Sequence, residues 1–247
     1  MFTPSWTSLR SPREAPALSP SWLDLWLVDL DHPPPSIIGL LDAEERARAE
    51  RFVHDRDARR FAATRGALRF VLGAYLERGP EEIAFELGPW GKPALASPSA
   101  VDFSFNLAHS GGHALIGVGL AASLGVDLEA MRPIDDWRDL AEHTFAPGEA
   151  RSVIALPPTE QMDGFFACWS RKEAVIKYWG EGLSADLQSF EVSTHPAEPA
   201  RLISTTRPAT RASDIRLWSF KPVADAWAAV AAPATPQKLS LRYWRLS

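Results

Sequence analysis

Only one cysteine, Cys168, occurs in the 247 residues, so no intramolecular disulfide can form and nothing points to an oxidising compartment. Its place inside an apolar helical stretch predicts a buried structural thiol. No apolar run approaches the length of a membrane span, and the N-terminus lacks a basic segment followed by an apolar one, which predicts a soluble, cytoplasmic protein. An excess of positive charge is also missing. The net charge of −5 provides no general attraction to nucleic acid or to an anionic membrane surface, so an anionic ligand has to be met locally. There is no GxxxxGK[ST] and no GxGxxG, which disfavours P-loop and Rossmann nucleotide sites, and no His/Cys cluster has zinc spacing. With 46% hydrophobic residues, the chain is long enough for one large domain or two modest ones.

What is present begins with FFACWSRKEAVIKYWG, Phe165 to Gly180, an amphipathic helix whose apolar arc is interrupted by Lys172 and Glu173. At about 100° per residue, Lys172 falls near the centre of the arc and Glu173 on its flank, so both charges aim inward. A desolvated charge requires a partner. Lys177 follows Glu173 by four residues, the spacing of a simple helical ion pair. In GVDLE, strand alternation puts Asp127 and Glu129 on one face, about 6.6 Å apart. A solvated strand face accounts for that pair alone. Convergence of these two with Glu173 would bring three carboxylates into mutual repulsion, which a hard divalent cation relieves; Mg²⁺ is the natural candidate.

Candidates for phosphate binding are His109, in a Ser-Gly-Gly turn that permits close backbone approach, and Lys92, in a Gly-Lys-Pro loop. Each is by itself an ordinary surface group. Arginines crowd the stretch from Arg46 to Arg69, mostly as a solvated helical face; Arg65 is the exception, sharing the inward arc of Phe61, Leu68, Leu72 and Tyr75.

The expected order of elements is a strand from Trp22 to Leu30, a helix from Asp42 to about Phe52, a second from about Asp57 to Glu77, and strands at Ile83–Leu87, Val101–Leu107, Ala114–Leu120 and Gly125–Glu129. A turn over Ala108 to Gly112 separates two of these strands. Helices follow at Trp137–His143, after Phe145, and at Phe165–Gly180, then strands at Ile215–Pro222 and Trp227–Ala232. Strands and helices mix without βαβ alternation, so the expected class is α+β, as two similar lobes in a pseudo-twofold arrangement, each a small sheet packed on helices. The expected division is a loose segment over residues 1–20, an N-terminal lobe over 21–124 and a C-terminal lobe over 125–247.

GKPAL, FNLAHSGG, GVDLE and WSRKEAVIKYWGEGL, in this order and spacing, resemble the 4′-phosphopantetheinyl transferases of the larger, surfactin-synthetase-activating type, with the likeness running from about Trp22 to Val192. The resemblance implies a monomer with coenzyme A bound between two α+β lobes. It implies transfer of the 4′-phosphopantetheine arm to a serine of an apo acyl or peptidyl carrier protein, releasing adenosine 3′,5′-bisphosphate. By position it implies Mg²⁺ held by Asp127, Glu129 and Glu173, with Glu173 as base for the serine hydroxyl. Lys177 and Lys172 would neutralise phosphoryl charge, and His109, Arg48 and Lys92 would contact the nucleotide phosphates, with Asn106 shaping the histidine loop. Ala108 departs from the serine common at its position, which puts a hydroxyl contact to coenzyme A in doubt. Two other classes fit parts of the pattern: a non-catalytic module that binds coenzyme A or carriers, and a metal-dependent phosphohydrolase.

Overall fold

The computed structural model describes residues 4–88, 92–96, 103–182, 185–234 and 240–246. Trp90 and Gly91 of the lysine loop, Val101 and Asp102 of an expected strand, and Leu183 of the helix motif lie outside them.

The strand β2 (Trp22–Asp29) is apolar on both faces because it is covered on both. Trp26 and Val28 meet the helix α2 (Asp55–Tyr75), while Leu23 and Leu25 face a second sheet. The antiparallel neighbours β5 (Phe103–Ser110) and β6 (His113–Leu120) extend this sheet, the latter beside β2. On the other side of β2 lie β12 (Ser240–Leu246) and then β1 (Thr7–Leu9), both pairing in parallel, so the strand order is β1-β12-β2-β6-β5.

α2 is preceded by α1 (Ala43–Ala49), which starts where the acidic turn predicted: Asp42 Oδ1 accepts from the Glu45 N–H at 2.8 Å, and Glu45 Oε2 accepts from the Asp42 N–H at 3.1 Å. Glu45 also explains the inward Arg65, whose Nε lies 2.5 Å from Glu45 Oε1, and the buried Arg69, whose Nε lies 2.8 Å from Glu45 Oε2. The arginines of this arc lock α1 onto α2.

The second lobe is built on the sheet β10 (Ile215–Val223), β11 (Ala226–Pro233) and β7 (Gly125–Ala130), all antiparallel. Strand alternation divides its side chains cleanly. Val126, Leu128, Ala226, Ala228 and Val230 pack against Leu23, Leu25 and Leu115 of the first sheet, and Trp227, Ala229 and Ala231 pack under the helix α5 (Gln161–Trp179). α3 (Trp137–Thr144), α4 (Pro147–Ile154) and the short hairpin β8 (Phe190–Val192) and β9 (Leu202–Thr205) complete this lobe; β3 (Phe85–Leu87) and β4 (Pro93–Leu95) form a small ribbon on the first. Helix, sheet, sheet and helix are thus layered through the molecule, the α+β class expected. Among the described residues no helix is long and apolar enough to cross a membrane.

Three boundaries differ from expectation. The C-terminal strand β12 does not stay in the second lobe but crosses back between β1 and β2, where Arg242 meets the buried Asp24 at 2.5 and 2.8 Å. The described part of the segment expected to be loose is held: β1 pairs with β12, and Trp6 stacks edge-on against Tyr243, 5.4 Å between ring centres. Strand β5 continues through Ala108, His109 and Ser110, leaving Gly111 and Gly112 as the turn, because these residues still pair with β6.

Candidate functional site

Where the two packed sheets meet, the side-chain face of β5 lies against the free edge of β7. Val126 donates its N–H to Asn106 Oδ1 at 2.6 Å, and Ala130 donates its N–H to Ser110 Oγ at 3.0 Å, so alternate side chains of β5 satisfy the free edge of β7. Ser110 Oγ in turn donates to Glu129 Oε2 at 3.3 Å. Asn106 is therefore buried in the seam between the lobes rather than turned toward a ligand.

On the opposite face of β7, Gly125, Asp127 and Glu129 line up beneath α5. A Cβ on Gly125 would overlap the Ala174 carbonyl oxygen and the Tyr178 nitrogen, so only glycine lets the helix come this close. With the helix there, Lys177 Nζ lies 2.7 Å from Asp127 Oδ1. The simple i,i+4 pair with Glu173 is replaced by a contact across the sheet. Asp127 Oδ2 is buried and has no hydrogen-bond partner among the described residues.

Electrostatics tie the other two carboxylates to Asp127. Glu129 is pushed up to about 7, first by burial and then by the Asp127 charge, with Ser110, Lys177 and Arg132 opposing. Burial and then Asp127 also raise the Glu173 pKa, and Lys177 opposes. Half-buried Glu173 has no hydrogen bond to any described residue, which leaves its carboxylate open to accept a proton. His109, at the end of β5, keeps much of its surface open to solvent, yet enough protein surrounds the ring that burial, followed by the Lys177 charge, lowers its pKa. Asp127, Glu129, Glu173, Lys177 and His109 thus share one electrostatic neighbourhood at the seam.

Whether these residues suit a divalent cation is decided by two observations that point one way and two that point the other. The Asp127 oxygen without a described partner and the raised pKa values of Glu129 and Glu173 beside the Asp127 charge are both relieved by a cation. Against this, no group of three or more His, Cys, Asp or Glu among the described residues is already set to hold a metal, and Lys177 occupies one Asp127 oxygen. The donor chemistry fits a hard cation, provided that Lys177 yields its place.

Lys172 does not join this neighbourhood, contrary to the expectation that it neutralises phosphoryl charge. Its fully buried Nζ lies 2.6 Å from Glu149 Oε2 and 2.7 Å from the Phe190 carbonyl oxygen, on the side of α5 that faces α4 and β8. Lys92 donates to the carbonyls of Leu124 at 3.1 Å and Lys177 at 2.7 Å. Arg48 is exposed on α1 with its guanidinium 5.1 Å above the Phe61 ring and no carboxylate partner among the described residues, so its charge is available. Sequence reasoning missed Ser110 and Arg132 beside Glu129. The even-numbered spacing of Asn106, Ala108 and Ser110 on one strand face was the available signal for Ser110; nothing local marks Arg132.

An acid-lined seam with one lysine and one histidine beside a half-buried carboxylate without a described partner has the groups that an acid–base or metal-assisted enzyme needs. Family comparison says which. The family model described as "4'-phosphopantetheinyl transferase superfamily" matches residues 123–232, and "4'-phosphopantetheinyl transferase, N-terminal" matches residues 35–121. Similar proteins include the 4'-phosphopantetheinyl transferase HetI of Nostoc sp., 39% identical over 182 residues that cover 72% of this chain and 76% of HetI. Sfp of Bacillus subtilis is 32% identical over 158 residues, covering 64% of this chain and 68% of Sfp. The chain belongs to the 4′-phosphopantetheinyl transferase superfamily.

Proposed function

We propose that this chain transfers 4′-phosphopantetheine from coenzyme A to a serine of an apo acyl or peptidyl carrier protein, with Glu173 as the base and Lys177 beside the transferring phosphoryl group. The serine oxygen forms the new bond to phosphorus, the pyrophosphate P–O bond breaks, adenosine 3′,5′-bisphosphate leaves, and the serine proton passes to Glu173. A serine hydroxyl is a weak nucleophile until a positioned base accepts its proton. In the metal-free protein burial and the Asp127 charge raise the proton affinity of Glu173, and in the proposed reaction Glu173 takes the proton directly or through a water.

Phosphoryl transfer needs positioning and charge neutralisation more than covalent help. Lys177 supplies a half-buried positive charge, and His109 and Arg48, which has no carboxylate partner among the described residues, supply donors for the nucleotide phosphates. Asp127, Glu129 and Glu173 would hold Mg²⁺, which supplies further neutralisation at the pyrophosphate. The observation that carries the reading is the buried Asp127 oxygen, without a hydrogen-bond partner among the described residues, in the field of which Glu129 and Glu173 have raised pKa values. Action as a monomer in the cytoplasm belongs to the same proposal, supported by two lobes that already form the seam within one chain and by a single, buried cysteine. Intact-mass analysis of a panel of apo carriers, incubated with the protein, coenzyme A and Mg²⁺, tests it: at least one carrier gains the phosphopantetheine mass, and no gain on any carrier contradicts it.

A further inference from the structure

The last carbonyls of a helix lack intrahelical donors and carry the negative end of its dipole. At the end of α5 three of them are met by identified donors. Gly180, left-handed at φ 76°, donates its N–H to the Ile176 carbonyl at 2.8 Å, the ordinary glycine stop. The next two carbonyls are met from outside the helix: that of Lys177 accepts from Lys92 Nζ at 2.7 Å, and that of Tyr178 accepts from Ser123 Oγ at 2.5 Å. Lys92 also holds the Leu124 carbonyl at 3.1 Å, at the crossing between the lobes. Both donors come from chain segments that precede β7, whereas the helix belongs to the second lobe.

We propose that Lys92 is a positioning residue, which caps the end of α5 and thereby fixes where the Lys177 side chain stands against Asp127. The residue whose carbonyl Lys92 grips is the one whose ammonium reaches Asp127, so a shift of the helix end moves that ammonium directly. Burial, followed by the Lys177 charge, lowers the Lys92 pKa to about 8. This inference rests on the transferase reading, but it predicts a different signature from phosphate binding. A phosphate ligand works by its charge, whereas a cap works by its N–H donors.

Lys92→Gln and Lys92→Met separate the two. Glutamine is one bond shorter and uncharged but keeps two N–H donors; methionine keeps only the apolar stem. The cap predicts that Lys92→Met lowers kcat about tenfold or more, leaves KM for coenzyme A within about twofold, and speeds amide exchange in the peptide spanning 174–182. Lys92→Gln restores most of kcat and of the protection. An equal rise in KM for both variants, with kcat and exchange unchanged, overturns the proposal. If Lys92→Met does not fold, Ser123→Ala removes the neighbouring cap and is expected to speed exchange in the same peptide; unchanged exchange there overturns it too. Because exchange is read without turnover, failure of the transferase reading shows as an inactive wild type and leaves the cap separately testable.

Discussion

Lys177 Nζ stands 2.7 Å from Asp127 Oδ1 and so joins the last turns of α5 to the middle of β7. The contact is partly protected, with side chains 28% and 4% exposed. It means that Lys177 and a cation compete for the same carboxylate. Lys177→Met is therefore expected to lower turnover about a hundredfold, the scale of losing one preorganised charge partner of a transition state, while lowering the Mg²⁺ concentration needed for half-maximal binding. Isothermal titration with Mg²⁺ alone checks the second half, and weaker binding in the variant would contradict it.

Glu129 gives a pH dependence with a definite sign. Its folded pKa, about 7, lies above its ordinary 4.5. A group raised on folding contributes stability that is full below the ordinary value and is lost as pH rises through the folded value. Metal-free protein is thus expected to lose Tm between about pH 5 and 8 through this group, by about 2–4 °C per kcal/mol for a chain of this size. Added Mg²⁺ opposes the loss, so its stabilising effect is larger at pH 8 than at pH 6. Differential scanning fluorimetry on wild type and Glu129→Gln reads this directly; the variant is expected to lack the Glu129 part of the slope.

The buried pair of Lys172 and Glu149, 2.6 Å apart, serves the fold of the second lobe. Glu149 also accepts the N–H groups of Ala146 and Val192, at 2.8 and 2.6 Å, and burial raises its pKa despite the lysine. Lys172→Met leaves a buried carboxylate without its counter-charge and is expected to cost about 3–5 kcal/mol. Adding Glu149→Gln to it recovers part of that loss, because the amide keeps an acceptor and carries no charge. Chemical denaturation measures both. Unchanged stability with a raised KM for coenzyme A would return Lys172 to the phosphates.

Ala108 lies between Asn106 and Ser110 on the strand face that meets β7. Those neighbours accept from the Val126 and Ala130 N–H groups, so by the same spacing the Leu128 N–H faces Ala108. A serine hydroxyl at this place is directed to the seam between the sheets and not to a ligand. Ala108→Ser is expected to stabilise the protein by about 0.5–1.5 kcal/mol and to leave KM for coenzyme A unchanged. A lowered KM without stabilisation would contradict this placement.

Much of the framework is legible in the residues themselves. Asp42 caps α1 where its acidic turn predicts, and the GVDLE alternation does set Val126 and Leu128 apart from Asp127 and Glu129. Other features are decided by distant contacts. Helical periodicity says that Lys172 and Glu173 both turn inward, but α5 is enclosed on several sides, and only the packed structure shows that Lys172 meets α4 and β8 while Glu173 feels Asp127. The destination of β12 is likewise invisible locally: it pairs with β2 across most of the chain's length, drawn by Arg242 to the buried Asp24. Lys92 carries the residue type of a phosphate ligand, and nothing in its neighbours announces that two carbonyls claim its ammonium.

The measurement that bears most directly on the base role of Glu173 sets turnover beside binding in a Glu173→Gln variant. Intact-mass analysis of an apo carrier follows transfer while calorimetry follows coenzyme A. The account predicts that transfer falls by about a hundredfold or more, within the range for loss of a positioned base, with coenzyme A affinity within a few-fold of wild type. Transfer at the wild-type rate would contradict it.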